Sequence, residues 1–98
     1  MKTIIQFSFK FIDLDKLRGV PVLDCRVLDN PYKRGMSDSV AIATVRANPM
    51  FETVVEYGLQ LLAAHDKIFV GCPYGKHRSG AVAQELAARS GATVLQYR

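Results

Sequence analysis

The fold is decided by residues 68–79, IFVGCPYGKHRS, in which an apolar run passes through a short loop into an Ala-rich segment. This order predicts a strand, a tight loop and a helix in direct succession. The first backbone N–H groups of such a helix converge on one point, which attracts anions with the help of the helix dipole. Lys76 and Arg78 add positive charge, and Gly75 permits a backbone conformation that a Cβ would obstruct. The sequence therefore predicts a phosphate-binding loop.

The composition indicates a single domain over residues 1–98. Apolar residues make up 49% of the chain, and no apolar run approaches the ~20 residues of a membrane span. Polar residues interrupt the apolar N-terminal segment, so we expect no signal peptide, no membrane partner and a cytoplasmic location. The net charge of +4 tolerates an anionic partner without requiring nucleic acid. Cys25 and Cys72 are too few for a disulfide framework or a zinc site, so we expect no metal and no cofactor.

Strand-like and helix-like segments alternate along the chain. Alternating or β-branched stretches predict strands, and helical spacing of apolar residues predicts helices. The predicted strands cover residues 3–9, 22–28, 67–71 and 92–97, and the predicted helices cover residues 38–47, 50–64 and 79–89. This alternation predicts a small three-layer α/β domain with a mostly parallel sheet of about four strands. Ligands bind beyond the carboxyl ends of such strands, where Arg26, Asn30 and Tyr32 would meet residues 72–79.

The loop also has the spacing of a known catalytic device. Residues 72–79 match the Cys-x-x-Gly-x-x-Arg-Ser loop of cysteine-dependent phosphatases. In that chemistry a thiolate attacks phosphorus, the loop amides and the Arg hold the equatorial oxygens, and the hydroxyl helps the thiolate leave. Under this alternative Cys72, Arg78 and Asp29 would be the catalytic residues. The spacing leaves open whether Cys72 is a nucleophile, a helix-start thiol with a lowered pKa or a small residue that ends a strand.

Three segments, in the same order, resemble the C-terminal domain of the RapZ family of RNase adapter proteins. Residues 71–79 are similar to the family's Gly-Cys-x-Gly-Gly-Lys-His-Arg-Ser segment. Residues 24–32 resemble its Asp-Val-Arg-Phe-Leu-x-Asn-Pro-His/Tyr segment, and residues 7–11 resemble its Phe-Gly-Phe-Lys-Tyr/His segment. Pro73 and Tyr74 depart from the family loop, where a small polar residue and a Gly stand.

The resemblance implies a module that binds a phosphorylated amino sugar, such as glucosamine 6-phosphate, rather than an enzyme. In the full-length adapter this domain also contacts small RNA and an endoribonuclease, so both are partners by resemblance. The positions carried over, together with the two departing loop residues, are Asp24, Arg26, Asn30, Tyr32, Cys72, Pro73, Tyr74, Gly75, Lys76, His77, Arg78 and Ser79.

Two further expectations concern partners. An RNA-binding accessory protein is a third alternative, in which the exposed basic residues Lys33 and Arg34 would contact the RNA backbone. The sequence stops at Arg98 without the basic tail of the family, which argues against this alternative. A homodimer is also compatible with the sequence, because a small sheet has edges that need covering.

Overall fold

A computed structural model describes residues 1–31 and 33–97, and within them one parallel sheet packs against three helices. The strands are β1 (Thr3–Ser8), β2 (Val22–Asp24), β3 (Lys67–Cys72) and β4 (Thr93–Gln96), and the helices are α1 (Asp38–Arg46), α2 (Phe51–Ala64) and α3 (Arg78–Ser90). The strand order is β2-β3-β1-β4, and all neighbouring strands run parallel. The predicted α/β class, with a mostly parallel sheet of about four strands, is confirmed, and a loop joins the third strand to the last helix.

Local signals explain the helix boundaries. The Ser37 side chain caps α1 by accepting the Val40 N–H at 3.3 Å. The residue before a proline avoids the helical conformation, and Pro49 stands directly between α1 and α2. Gly91 ends α3 in the left-handed conformation, with φ of 76°, and its N–H bonds to the carbonyl of Ala87. These ends agree with the sequence predictions to within one or two residues, which is the ordinary uncertainty of a helix boundary.

One buried cluster lies between the sheet and the helices. It joins side chains of β1, β2 and β3 to side chains of α1, α2 and α3, and it includes both cysteines. Its fully buried members include Ile4, Cys25, Leu28, Val55, Ile68, Val70, Val82 and Leu86. The three helices therefore cover the same face of the sheet. No helix among the described residues combines the length and hydrophobicity that would let it cross a membrane.

The opposite face has a thinner cover. The segment 9–21 must cross β3 to join β1 to β2, and the right-handed crossover rule places it on the face away from the helices. Its 3-10 helix, Leu14–Leu17, has no buried residue. The buried ring of Phe7 meets the rings of Phe9 and Phe69 edge to face, at centroid distances of 4.7 and 6.1 Å. These aromatic contacts replace a helix layer on this side.

The prediction of a second strand over residues 22–28 is wrong beyond Asp24, where β2 ends. The Asp24 carboxylate accepts the Arg26 N–H at 2.9 Å, and the chain turns into a short 3-10 helix, Cys25–Val27. The Leu28 N–H then bonds to the carbonyl of Cys25 at 3.1 Å. An Asp side chain that bonds to its own backbone two residues on is a turn-forming device, and here it outweighs the β-type pattern of the residues that follow.

The contact between Gly71 and Phe7 is directly testable. A Cβ on Gly71 would lie 2.3 Å from Cζ of Phe7, so Gly71→Ala must displace a buried ring. We expect a loss of about 1–3 kcal/mol in the free energy of unfolding, measured in urea. Phe7→Leu should make room for the new methyl group, so the double variant should lose clearly less than the sum of the two single variants. Additive losses would show that the ring does not restrict Gly71.

Candidate anion-binding site

The anion loop, residues 72–79, lies at the carboxyl end of β3 and is attached to the chain that leaves β1. The Phe9 N–H donates to the carbonyl of Cys72 at 3.0 Å, and the Lys10 N–H donates to the carbonyl of Pro73 at 3.1 Å. These bonds attach the two residues that follow β1 to the last residue of β3 and to the residue after it. The first residues of the loop are therefore fixed to the chain that leaves β1.

Two side chains of β1 donate hydrogen bonds to carbonyl groups of the loop. Gln6 is buried, and its Nε2 donates to the carbonyl of Gly75 at 2.8 Å. The Ser8 hydroxyl donates to the carbonyl of Pro73. Sequence reasoning missed both residues as parts of the site. The only signal for Gln6 was an amide side chain in an otherwise apolar strand, and its partner 69 residues away could not be read from the sequence.

Gly75 is required by both its conformation and its surroundings. Its φ is +67°, a region that residues with a Cβ rarely adopt. A Cβ at this position would also lie 2.8 Å from the carbonyl carbon of Phe7 and 2.9 Å from the nitrogen of Ser8. Because both of these atoms belong to the backbone of β1, they cannot move aside as a flexible side chain can. The sequence prediction for Gly75 named the backbone freedom and missed the close approach to β1.

The variants Gly75→Ala and Gly19→Ala separate the effect of the backbone conformation from the effect of the close approach to β1. Gly19 also has a positive φ, +75°, but no atom lies within 4 Å of its virtual Cβ. We expect Gly19→Ala to lose about 1–3 kcal/mol of unfolding free energy through backbone strain alone. Gly75→Ala should lose more in the same urea titration, because β1 must also shift. Equal losses in the two variants would contradict the close approach.

The sulfur of Cys72 lies at the base of the anion loop. The Ser79 N–H donates to Cys72 Sγ at 3.4 Å, and the Ser79 hydroxyl lies 3.2 Å from the same sulfur. The Gly75 N–H donates to the Cys72 carbonyl at 3.2 Å, and the backbone of Gly75 and Lys76 further stabilises the thiolate. Burial alone would raise the pKa of the Cys72 thiol, but these donors outweigh burial and lower the pKa. The loop is thus built to hold negative charge at its base.

The pH at which the Cys72 thiolate forms tests this environment. Because its pKa is lowered, the thiolate should appear at a lower pH than that of a free cysteine, whose pKa is about 8.5. Ultraviolet absorbance of the thiolate, taken as the difference between wild type and Cys72→Ser, gives the midpoint. Ser79→Ala removes a donor to the sulfur and should move the midpoint upward. Burial raises the pKa of Cys25, so Cys25 should not contribute in this range. A midpoint at or above that of a free thiol would contradict this description.

Three basic side chains of the anion loop bond to partners outside the loop. Arg78 Nη1 donates to the carbonyl of Leu28 at 3.0 Å, which uses one of the five guanidinium donors. Lys76 Nζ lies 3.1 Å from Asp38 Oδ2, and His77 Nε2 lies 2.9 Å from Asp38 Oδ1. The hydrogen bonds from His77 and then from Lys76 lower the pKa of Asp38. The N-terminus of α1 therefore clamps the loop through Asp38, a residue that the sequence analysis treated only as part of the helix start.

Asp24 and Arg26 bind each other at the end of β2. Arg26 Nε lies 2.9 Å from Asp24 Oδ1, and Arg26 Nη2 lies 2.7 Å from Asp24 Oδ2. The guanidinium also lies 3.8 Å from the centroid of the Phe9 ring. Burial raises the pKa of Asp24, but the bonds to Arg26 and the charge of Arg78 lower it overall. The influence of Arg78 on Asp24 indicates that the second motif and the anion loop meet at the same edge of the sheet.

Two grooves border the loop, with Tyr74 between them. The wide groove, of about 610 Å³, is lined by Asn30, Met36, Ser37, Asp38, Tyr74, Lys76 and His77. The narrow groove, of about 240 Å³, is lined by Phe7, Ser8, Phe11, Ile12, Tyr74, Gly75, Gln96 and Tyr97. The ring of Tyr74 is exposed, and its centroid lies 5.0 Å from Lys10 Nζ. Of these two grooves, only the wide one has a volume within the usual range of small-molecule sites, about 300–1,000 Å³.

One predicted site residue, Asp29, stands apart from this arrangement. Asp29 is exposed and does not line either of the two grooves beside the loop. Tyr32 lies outside the described residues. Within residues 1–31 and 33–97, no group of three or more His, Cys, Asp or Glu side chains is placed to hold a metal ion.

Fold and site together define the class: an α/β domain with an anion loop at the start of its last helix. No protein-family model matches the chain. A nucleotide-binding protein of Salinispora arenicola is 32% identical over 113 residues, which cover 95% of this chain and 37% of the relative. A nucleotide-binding protein of Leifsonia xyli is 34% identical over 107 residues, which cover 89% of the chain and 35% of the relative. The chain is therefore similar to longer proteins that bear this name, and it spans about a third of their length.

Proposed function

We propose that this domain binds a small phosphorylated ligand, with the phosphate held by the anion loop. One observation carries the proposal: the Ser79 N–H at the start of α3 donates to Cys72 Sγ at the base of the loop, where the backbone of Gly75 and Lys76 also favours negative charge. The N-cap residue of α3, His77, makes no side-chain capping bond, whereas Ser37 caps α1. The donors that lower the pKa of a thiolate are of the kind that binds phosphate oxygens. Arg78 adds a planar, bidentate donor beside them.

The wide groove suggests what the rest of the ligand is. Its Asp38 carboxylate and Asn30 amide suit a hydroxylated group that also carries positive charge. We propose a phosphorylated amino sugar such as glucosamine 6-phosphate, with the phosphate on the loop and the sugar in the wide groove. The similarity to proteins named nucleotide-binding supports the phosphate class, because nucleotides carry the same group. A nucleotide is therefore the natural competing ligand in any titration.

A cysteine-dependent phosphatase is the second candidate. It is favoured by the lowered pKa of Cys72 and by the Ser79 hydroxyl 3.2 Å from the sulfur. Such an enzyme also needs a general acid near the leaving group. Asp29, the candidate from the sequence, is exposed and does not line the grooves that border the loop. The geometry therefore supports a binding module better than a phosphatase.

Two matched substitutions test the binding module. Arg78→Ala should weaken glucosamine 6-phosphate binding in calorimetry by more than about tenfold, because each 1.4 kcal/mol of lost contact is a factor of ten. Cys72→Ser should change the affinity by less than about threefold, since the amides remain and only the sulfur is replaced. Arg34→Ala removes an arginine from the exposed residues 33–35 and is the matched control. The reverse order, with Cys72→Ser the more damaging change, would contradict the proposal.

Wild type and the same variants also distinguish a phosphatase from a binding module. Turnover of an aryl phosphate by wild type, lost in Cys72→Ser while binding persists, would replace the binding module by the phosphatase. Binding without turnover supports the module. Titrations with inorganic phosphate and a nucleoside monophosphate, run beside the sugar phosphate, identify which part of the ligand is recognised.

Contacts with RNA or an endoribonuclease are further proposals that rest on the resemblance alone. Lys33 and Arg34 are exposed and would supply the RNA contacts. An RNA complex of this kind should weaken steeply as salt rises, whereas a sugar phosphate with one or two charges should depend on salt only mildly.

A further inference from the structure

The two cysteines of the chain lie next to each other in the fold. Asp24, the last residue of β2, is paired with Gly71 of β3, and Cys25 and Cys72 are the next residues of the two segments. Cys25 begins the 3-10 helix that follows β2, and Cys72 ends β3. Both side chains are free and belong to the buried cluster on the helix side of the sheet.

The spacing of β2 and β3 where they lead into the two cysteines suits a disulfide. Adjacent strands lie about 4.8 Å apart, and Asp24 and Gly71, the residues before the two cysteines, are paired across them. The Cα atoms of disulfide-bonded cysteines are usually about 4.4–6.8 Å apart. The 3-10 helix that Cys25 begins also packs against β3, which ends at Cys72.

We propose that Cys25 and Cys72 form a reversible intramolecular disulfide when a peroxide oxidises Cys72, and that this disulfide prevents the anion loop from binding phosphate. The formation of the disulfide depends only on the two cysteines. Its regulatory effect rests on the proposed function, because it is the phosphorylated ligand whose binding the disulfide would prevent.

The chemistry needs a peroxide and no other reagent. The Cys72 thiolate attacks one peroxide oxygen, the O–O bond breaks, an S–O bond forms, and the released hydroxide takes a proton to become water. The sulfur of Cys25 then attacks the resulting sulfenic acid. An S–S bond forms, the S–O bond breaks, and the Cys25 proton leaves with the hydroxyl group as a second water molecule. The peroxide gains two electrons, and the two thiols lose them.

The environment assigns different roles to the two sulfurs. The donors around Cys72 favour its thiolate, so Cys72 is the sulfur that reacts with peroxide. Cys25 is fully buried and remains a thiol. When Cys72 becomes a neutral sulfenic acid, the negative charge that raises the pKa of Cys25 disappears. Oxidation of the first sulfur therefore makes the second easier to deprotonate.

The disulfide would act on the site from within. It removes the sulfur that accepts the Ser79 N–H, and it ties the loop to Cys25, the first residue of the 3-10 helix after β2. The start of α3 must then reorient, because the acceptor of its Ser79 N–H has turned toward β2. A phosphate on the loop would in turn shield Cys72, so ligand and peroxide should compete.

Peroxide treatment followed by mass spectrometry under non-reducing conditions tests the proposal. Wild type should lose two hydrogens and yield a peptide pair joined through Cys25 and Cys72, and dithiothreitol should reverse both changes. In Cys25→Ala, Cys72 should instead add oxygen atoms up to the irreversible sulfinic acid. In Cys72→Ala, Cys25 should resist the same dose. Circular dichroism confirms that both variants fold, and a conservative Cys25→Ser serves if the alanine variant does not.

The possible results separate this proposal from the proposed function. Oxygen addition to wild type without a cross-link, a cross-link between two chains, or no reaction at the dose that oxidises Cys72 in Cys25→Ala would each overturn the disulfide. If the disulfide forms, glucosamine 6-phosphate binding should fall by at least about tenfold and return after reduction. A disulfide that leaves this binding unchanged overturns the switch. A disulfide in a protein that binds no phosphorylated compound even when reduced refutes the proposed function and leaves the disulfide established.

Discussion

The hydrogen bonds between β1 and the anion loop are the contacts on which the rest of the site depends. They run from the backbone after β1 to Cys72 and Pro73, and from the buried Gln6 amide to Gly75. Together they press Gly75 against the backbone of β1, to within a distance that no Cβ would tolerate. With the loop held there, the Ser79 N–H at the start of α3 donates to Cys72 Sγ. The position of that donor therefore depends on the sheet as well as on the loop sequence.

This placement also explains how the site balances its charges. A thiol in the core would ordinarily stay protonated, as Cys25 does, because burial penalises the thiolate. Cys72 is nearly as buried, yet the donors from Ser79 and the loop lower its pKa. Outside the loop, Asp38 forms an ion pair with Lys76, hydrogen-bonds to His77 and ties both to α1. The result is a loop with hydrogen-bond donors at its base and a partly neutralised lysine at its rim, which suits the binding of a phosphate monoester.

Much of the fold could be predicted from local patterns. The strand, loop and helix around residues 68–90 follow from composition and from Gly91, and the boundaries of α1 follow from Ser37 and Pro49. The end of β2 could not be predicted, because the Asp24 carboxylate competes with the ladder through a bond to its own backbone. Gln6, Ser8 and Asp38 were missed for a different reason. Their partners lie 38 to 69 residues away, and only the strand order and the packing of α1 bring them together.

The central claim is that the amides of the anion loop bind phosphate, and an NMR titration tests it most directly. ¹⁵N-labelled protein is titrated with glucosamine 6-phosphate and, in parallel, with glucosamine, which has the same sugar and no phosphate. The structure predicts that the amide signals of Gly75, Lys76 and Ser79 shift together and saturate with the phosphorylated sugar only. Absence of these shifts, equal shifts with glucosamine, or shifts confined to the exposed segment around Lys33 and Arg34 would contradict it.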